Sequence, residues 1–199
     1  MDALLHYCYQ VAGTVGLMMC KVLDTHHKEA FLHAIDLGIA MQLTNICRDI
    51  TADAAMGRRY IPASLVGNLT PDELLNPSDE VRKTVQSGIS SLLAIADTYY
   101  LSGEQGLYHL PVGARAGILL SARIYQSIGK ELQRRQLCFW GNRVVVSPTR
   151  KFLISAKSLG ILVFRHILWI RPLPHNPQLH QPLKRTLPSS VAIFLNHAC

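Results

Sequence analysis

Apolar positions along this chain recur at helical spacing, with no repeated two-residue alternation of the kind a sheet needs. Over residues 2–23, Tyr7, Val11, Ala12 and Gly16 fall near one face at roughly 3.6 residues per turn, which predicts a helix despite Gly13 and Gly16. A glycine inside a helix costs about 1 kcal/mol against alanine. It is tolerable where something must approach the backbone closely, and tight helix–helix packing is the commoner such use. The longest predicted helix runs from residue 28 to about residue 53, with Ala30, Phe31, Ala34, Leu37, Gly38, Met41 and Thr44 along one face.

Punctuation sets the remaining elements. Gly57, Pro62 and Gly67 predict a loop over residues 54–69, and Thr70-Pro71-Asp72-Glu73 reads as a capped helix start. Further helices are predicted over residues 78–102, 112 to about 135, and 148 to about 169, with a break over 103–111. Five prolines (Pro172, Pro174, Pro177, Pro182 and Pro188) in a stretch rich in His and Gln predict an irregular tail. The chain thus divides into a helical portion, residues 1–170, and a tail, residues 171–199, with no internal repeat.

Composition narrows the class. Of 199 residues, 49% are apolar and 17% charged, which excludes a disordered or fibrous chain and leaves an all-α domain with a core of its own. Charge is uneven: residues 1–99 hold 7 Lys/Arg against 11 Asp/Glu, and residues 100–199 hold 13 against 2. A basic second half suits an anionic partner such as a phosphate ester or lipid headgroup, or is simply a solvated face. Nucleic acid is set aside, because aromatics are few and the cations are not interleaved with stacking rings. Five cysteines without a CxxC pair predict reduced thiols and a cytoplasmic setting. Residues 152–170 are the most apolar run, but Lys157 and Arg165 interrupt it, so it reads as a core helix or one lying on a membrane surface.

The stretch that carries chemistry is Gln42-Leu43-Thr44-Asn45-Ile46-Cys47-Arg48-Asp49-Ile50-Thr51-Ala52-Asp53. Asn45, Asp49 and Asp53 are four residues apart, so on a helix they stack along one face with a drift of roughly 40° per step. Two carboxylates so placed repel unless a cation lies between them, and hard oxygen ligands suit Mg²⁺ shared with phosphate oxygens. Met41, Ile46 and Ile50 are apolar neighbours, so the row does not belong to an ordinary wet face. Arg48 beside the row, and Arg58, Arg59 and Tyr60 just after it, supply cations for a phosphate. By spacing alone, a solvated or Arg-paired acidic face is the commoner outcome.

Wider motifs point to a family. Tyr7-Cys8-Tyr9-Gln10-Val11-Ala12-Gly13-Thr14-Val15-Gly16 resembles a signature block of phytoene synthases. The run from Leu37 to Asp53, with Gly57-Arg58-Arg59-Tyr60-Ile61-Pro62, resembles the second aspartate-rich motif of the squalene/phytoene synthase family and its following block. Tyr99-Tyr100-Leu101-Ser102 with Gly106-Leu107 and Leu110-Pro111, and then Ala122-Arg123-Ile124-Tyr125, continue the likeness in order, to about residue 170.

The resemblance implies an all-α isoprenoid-synthase (terpenoid synthase) fold around a central cavity. It implies Mg²⁺-dependent (or Mn²⁺-dependent) head-to-head condensation of two prenyl diphosphates through a cyclopropyl intermediate, at a peripheral membrane location. Geranylgeranyl diphosphate is the expected substrate. Farnesyl diphosphate, as in squalene or dehydrosqualene synthases, and a non-catalytic prenyl-diphosphate binder are the alternatives. By resemblance, Asn45, Asp49 and Asp53 hold metal and diphosphate, and Arg48, Arg58 and Arg143 bind the diphosphate. Tyr7, Val11, Gly16, Leu37, Met41 and Gln42 line the prenyl tunnel, and Tyr60 and Tyr125 face the reacting cation or its diphosphate. The family's first aspartate-rich motif lies upstream of the Tyr7 block and has no counterpart here. The expectation is a fold missing its N-terminal helices and a chain with little synthase activity by itself.

Overall fold

Helix α3 (Lys28–Arg48) is the axis on which the other elements are laid. The computed structural model describes residues 1–167 and 174–186. Before α3 come α1 (Asp2–Cys8), a π-helical turn (Tyr9–Gly13) and α2 (Thr14–Val22). After it come α4 (Ile50–Ala55), α5 (Ala63–Val66), α6 (Pro71–Leu75), α7 (Asp79–Gln105), a 3-10 turn (Gly106–His109), α8 (Val112–Arg134) and α9 (Pro148–Ile167). A second 3-10 turn (Pro177–His180) leads into α10 (Gln181–Thr186). No strand occurs among the described residues, and the all-α expectation holds.

The core follows from two apolar stripes. Helix α3 contributes Leu32, Ile35, Ile39, Leu43 and Ile46, and α7 contributes Val85, Ile89, Leu92 and Ala96. Thr44 is a polar exception within this packing. Its hydroxyl donates to the Ala40 carbonyl (2.9 Å) and meets the Tyr100 hydroxyl of α7 (3.1 Å), so no polar atom of that pair is stranded. Helix α3 is apolar and long enough to cross a membrane by length and composition, yet here it runs through the core.

The first helical segment touches α3 backbone to backbone. A Cβ on Gly38 would stand 2.4 Å from the Ala12 carbonyl oxygen, and one on Gly16 would stand 2.3 Å from that of Ala34. Only glycine permits this approach. The continuous helix expected over residues 2–23 is interrupted by the π turn, and the contact of Ala12 and Gly13 with Gly38 falls inside it. Such widened turns commonly mark functional sites.

Four other boundaries differ from expectation. The helix predicted to continue to Asp53 opens at Asp49 (φ −103°, ψ 15°), where the carboxylate is drawn to two guanidinium groups, and resumes as α4. The loop over residues 54–69 contains the short α5. Gly103 does not end α7, because its bare face packs on Leu37, where a Cβ would lie 2.8 Å from that of Leu37. The predicted irregular tail is ordered over residues 174–186: Leu183 and His180 are buried, α10 packs on α1, and the Tyr99 hydroxyl donates to the Leu179 carbonyl (2.7 Å). Prolines here start short helical turns, as at Pro177, rather than prevent them. The end of the helix expected to reach residue 169, and residues 187–199, lie outside the described residues.

Two substitutions test this packing in chemical denaturation. Gly38→Ala forces the crossing apart and lowers stability by about 1–3 kcal/mol, the usual cost of overpacking. Leu183→Ala lowers it by about 2–5 kcal/mol, as expected for a filled core position and not for a loose tail.

Candidate functional site

A cavity of about 360 Å³ lies between α2, α3, the turn after α7, and α8. That volume is in the range of small-molecule sites. Its α3 wall runs from Ala30 to Asn45, about 22 Å of helix at 1.5 Å per residue. The register explains the wall: Ala30, Ala34, Leu37, Met41 and Asn45 recur at three- and four-residue steps, opposite the stripe that enters the core. Small residues at the crossing with α2 bring the two walls into backbone contact, and the lining is nearly all apolar until Gln42 and Asn45.

Asn45 ends the apolar stretch, and its Oδ1 is buried without a hydrogen-bond partner. The helical ladder carries on through the opening at Asp49: the Asp49 amide donates to Asn45 O (2.9 Å) and the Asp53 amide to Asp49 O (2.8 Å). Asn45, Asp49 and Asp53 therefore remain on successive turns.

Asp49 is clamped. Arg48 Nε donates to Oδ1 (2.8 Å) and its Nη2 to Oδ2. Arg143 arrives from 94 residues away and donates from Nε to Oδ1 (2.8 Å) and from Nη2 to Oδ2 (3.2 Å). Burial pushes the Asp49 carboxyl up, but the two guanidinium groups overcome it and hold the group at about 2. Arg143 is the exposed half of the clamp, with a side chain 61% exposed against 13% for Arg48. Tyr125 reaches the cavity from α8.

Asp53 is in the opposite condition. Burial and the neighbouring Asp49 charge raise its carboxyl above the ordinary value, and Arg58 and Arg48 only partly offset this. It faces a small second hollow with Arg58, Arg59 and Tyr60. The backbone explains the placement of Arg58. Gly57 takes φ 70°, its amide donates to Ala54 O, and the Arg58 amide donates to Asp53 O, which is a Schellman end to α4. Tyr60 stacks on Tyr7 at 5.0 Å between ring centroids. A hydrogen bond with Tyr60, then burial, pushes the Tyr7 phenol up to about 12, so it is a neutral donor.

Of the residues singled out in sequence, Val11, Gly16, Leu37, Met41, Gln42, Asn45 and Tyr125 line the cavity. Gly16 does so at its edge, its bare face turned to Ala34. Tyr7 is not in the lining and belongs with Tyr60 and Asp53. Arg48 is folded onto Asp49 rather than standing free beside it. Arg143 joins Asp49 across the fold, a pairing that no local pattern announces. A second polar centre escaped the sequence reading altogether: Asp36 is buried and hydrogen-bonded to His175 (2.9 Å) and His180 (2.7 Å) from the C-terminal segment. The two histidines among the prolines were its only trace.

The oxygen set fits a divalent cation. An orphaned amide oxygen and a carboxylate whose ionisation is hindered by its neighbour both lack positive charge, and cation binding supplies it.

The unequal carboxylates have opposite signs in pH dependence. Asp49 lies below the ordinary carboxylate value of about 3.9, so its stabilisation is complete above that value and lost as pH falls through about 2. Asp49→Asn lowers the urea midpoint at pH 7 and flattens its fall in acid. Asp53 is raised, so its penalty is absent in acid and present at neutral pH. Asp53→Asn raises the midpoint at pH 7 and leaves it unchanged at pH 3, and a lowered midpoint at pH 7 contradicts this assignment.

Comparison with known proteins gives the family. The squalene/phytoene synthase family model matches residues 1–150. A 15-cis-phytoene synthase of Enterobacter agglomerans is 35% identical over 183 residues, 86% of this chain and 61% of that protein. A phytoene synthase of Thermus thermophilus is 37% identical over 155 residues, 78% of this chain and 53% of that protein. A crystal structure of a dehydrosqualene synthase in complex with ligand superposes with a TM-score of 0.71 at 27% identity, over 81% of this chain and 57% of that one. The chain thus spans a little over half the length of these proteins. Its cavity, its oxygen stripe and its sequence together place it in the squalene/phytoene synthase family, with the helical fold of the terpenoid synthases.

Proposed function

We propose that the cavity receives the hydrocarbon tail of a prenyl diphosphate, with the diphosphate at the end marked by Asn45, Asp49 and Asp53. The observation that carries this reading is the orphaned Asn45 oxygen at the end of an apolar lumen, one turn before two carboxylates. A long apolar lining suits a polyprenyl chain, and its exclusion of water protects an allylic cation. Asn45, Asp49 and Asp53 would hold Mg²⁺, or Mn²⁺ in its place. When bound, the metal neutralises charge on the diphosphate as its C–O bond breaks.

The chain's own groups then divide the work. Arg143, exposed and reversible, exchanges its bond with Asp49 for one with the diphosphate, while Arg48 stays to orient Asp49. Arg58 holds a second side of the diphosphate next to Asp53. Tyr60 and Tyr125 present their phenol groups to the reacting end. The reaction class is head-to-head condensation of two geranylgeranyl diphosphates to phytoene through a cyclopropyl diphosphate, as the phytoene synthase relatives suggest. Farnesyl diphosphate is the second reading, because one structural neighbour is a dehydrosqualene synthase. One such oxygen stripe serves one diphosphate, so the 199-residue chain by itself binds substrate and condenses little of it.

Isothermal titration with a non-hydrolysable geranylgeranyl thiodiphosphate checks this. Binding requires Mg²⁺, weakens about tenfold or more in Asn45→Ala and Arg143→Ala, and is weaker for the farnesyl analogue. Metal-independent binding, or binding indifferent to Asn45, contradicts the site. Rapid phytoene formation by the isolated chain contradicts the expectation of low activity.

The setting proposed is the cytoplasmic face of a membrane. Helix α9 exposes Phe152, Leu153, Leu159 and Val163 beside Lys151 and Lys157, and the four described cysteines are free thiols. Cosedimentation with anionic vesicles is expected, reduced at least severalfold in the double variant Phe152→Ser, Leu153→Ser.

A further inference from the structure

A second set of ligands stands behind the end of the cavity farthest from Asn45, where α3 begins. Glu29, His33 and His109 present a carboxylate oxygen and two ring nitrogens that all lie within 4.8 Å of one another. Glu29 and His33 are one turn apart on α3, and His109 ends the 3-10 turn after α7. The approach of that turn depends on Gly106, where a Cβ would stand 2.4 Å from the Cβ of His33.

Hydrogen bonding decides which nitrogen of His33 carries the proton. Asp36 is a buried carboxylate, so it accepts from Ser102 Oγ, His175 Nε2 and His180 Nε2. The Ser102 proton is thereby committed to Asp36, and Ser102 Oγ accepts from His33 Nδ1 (3.1 Å). His33 Nε2 is then a bare lone pair. It is buried without a hydrogen-bond partner and stands 3.7 Å from Glu29 Oε2. Two electron-rich atoms facing each other in a dry site repel unless a cation lies between them. His109 Nε2 is also buried without a partner, beside them.

We propose that Glu29, His33 and His109 bind a divalent transition-metal ion of the zinc class, at a site separate from the oxygen stripe at Asn45. Two neutral imidazoles and one carboxylate suit Zn²⁺, Co²⁺ or Ni²⁺, whereas Mg²⁺ prefers oxygen alone. The relay from Asp36 through Ser102 to His33 is the outer shell that such a site uses to fix the ligand tautomer. The ion joins three separate parts of the fold. Glu29 and His33 start α3, His109 holds the turn whose Gly106 and Leu107 line the cavity, and the His175 amide donates to Glu29 Oε2 (3.2 Å) from the C-terminal segment. Its effect is to fasten the far wall of the cavity.

The test uses the 199-residue chain, stripped with chelator and kept in millimolar Mg²⁺ so that the oxygen stripe is occupied. Titration with Co²⁺, followed by visible absorption, is expected to show one equivalent bound with intense bands of low coordination number. Zn²⁺ displaces it and raises the thermal midpoint. His109→Gln, a half-buried position, and Glu29→Gln each weaken Co²⁺ binding by tenfold or more while circular dichroism stays unchanged, and the exposed His26→Gln does not. Absence of a stoichiometric Co²⁺ spectrum in the folded chain overturns the proposal. So does binding that survives His109→Gln but is lost in His180→Gln, which places the ion at Asp36 instead.

Discussion

Contact between two helix backbones governs this fold. Gly38 and Gly16 allow the Ala12 and Ala34 carbonyls to reach the opposing chain, and so lock the first helical segment against α3 at a fixed height and rotation. With that rotation set, the Leu37, Met41 and Asn45 side of α3 faces a lumen, while the Ile35, Ile39 and Leu43 side faces the core. Any larger side chain at the crossing would spread the helices and turn a walled cavity into a surface groove. The π turn belongs to the same device, because it places Ala12 and Gly13 where the contact is made.

The oxygen row that starts at the Asn45 end of the cavity, and whose last member Asp53 opens on a separate small hollow, is built on inequality. Asp49 is satisfied twice over by Arg48 and Arg143, whereas Asp53 and Asn45 are left short of positive charge. A site satisfied throughout would have no use for a ligand. Here the fold meets the cost of one under-satisfied carboxylate and one orphaned amide oxygen through its core packing, and leaves them for something that arrives from outside. The Schellman turn at Gly57 sets Arg58 beside Asp53 through the backbone, which fixes where a second cation stands.

Much of this was legible in the residues, and the rest was not, for physical reasons. Local periodicity reveals which face of a helix is apolar, so α3, α7 and α8 and the stacking of Asn45, Asp49 and Asp53 could be read directly. Caps are local too: Thr70 and Glu73 form the reciprocal pair that their spacing suggests. Contacts between distant segments leave no such trace. Arg143 and Asp49, or Asp36 and His180, meet only because the whole fold brings them together. The C-terminal segment was misread because its prolines are strong local signals of irregularity, while Leu179 and Leu183, which pack it down, are ordinary apolar residues with no pattern around them. The opening at Asp49 was missed because the helical hydrogen bonds continue through it, Asp49 to Asn45 and Asp53 to Asp49, and leave the four-residue spacing intact.

The central claim is a direction: hydrocarbon along α3, diphosphate at Asn45. A crystal structure of the chain with Mg²⁺ and geranylgeranyl thiodiphosphate measures it directly. The account predicts a tail running beside Leu37 and Met41, with the phosphorus atoms between Asn45, Asp53 and a swung Arg143. A tail outside this lumen, or phosphorus atoms remote from Asn45 with the Asp49–Arg143 bond intact, contradicts it.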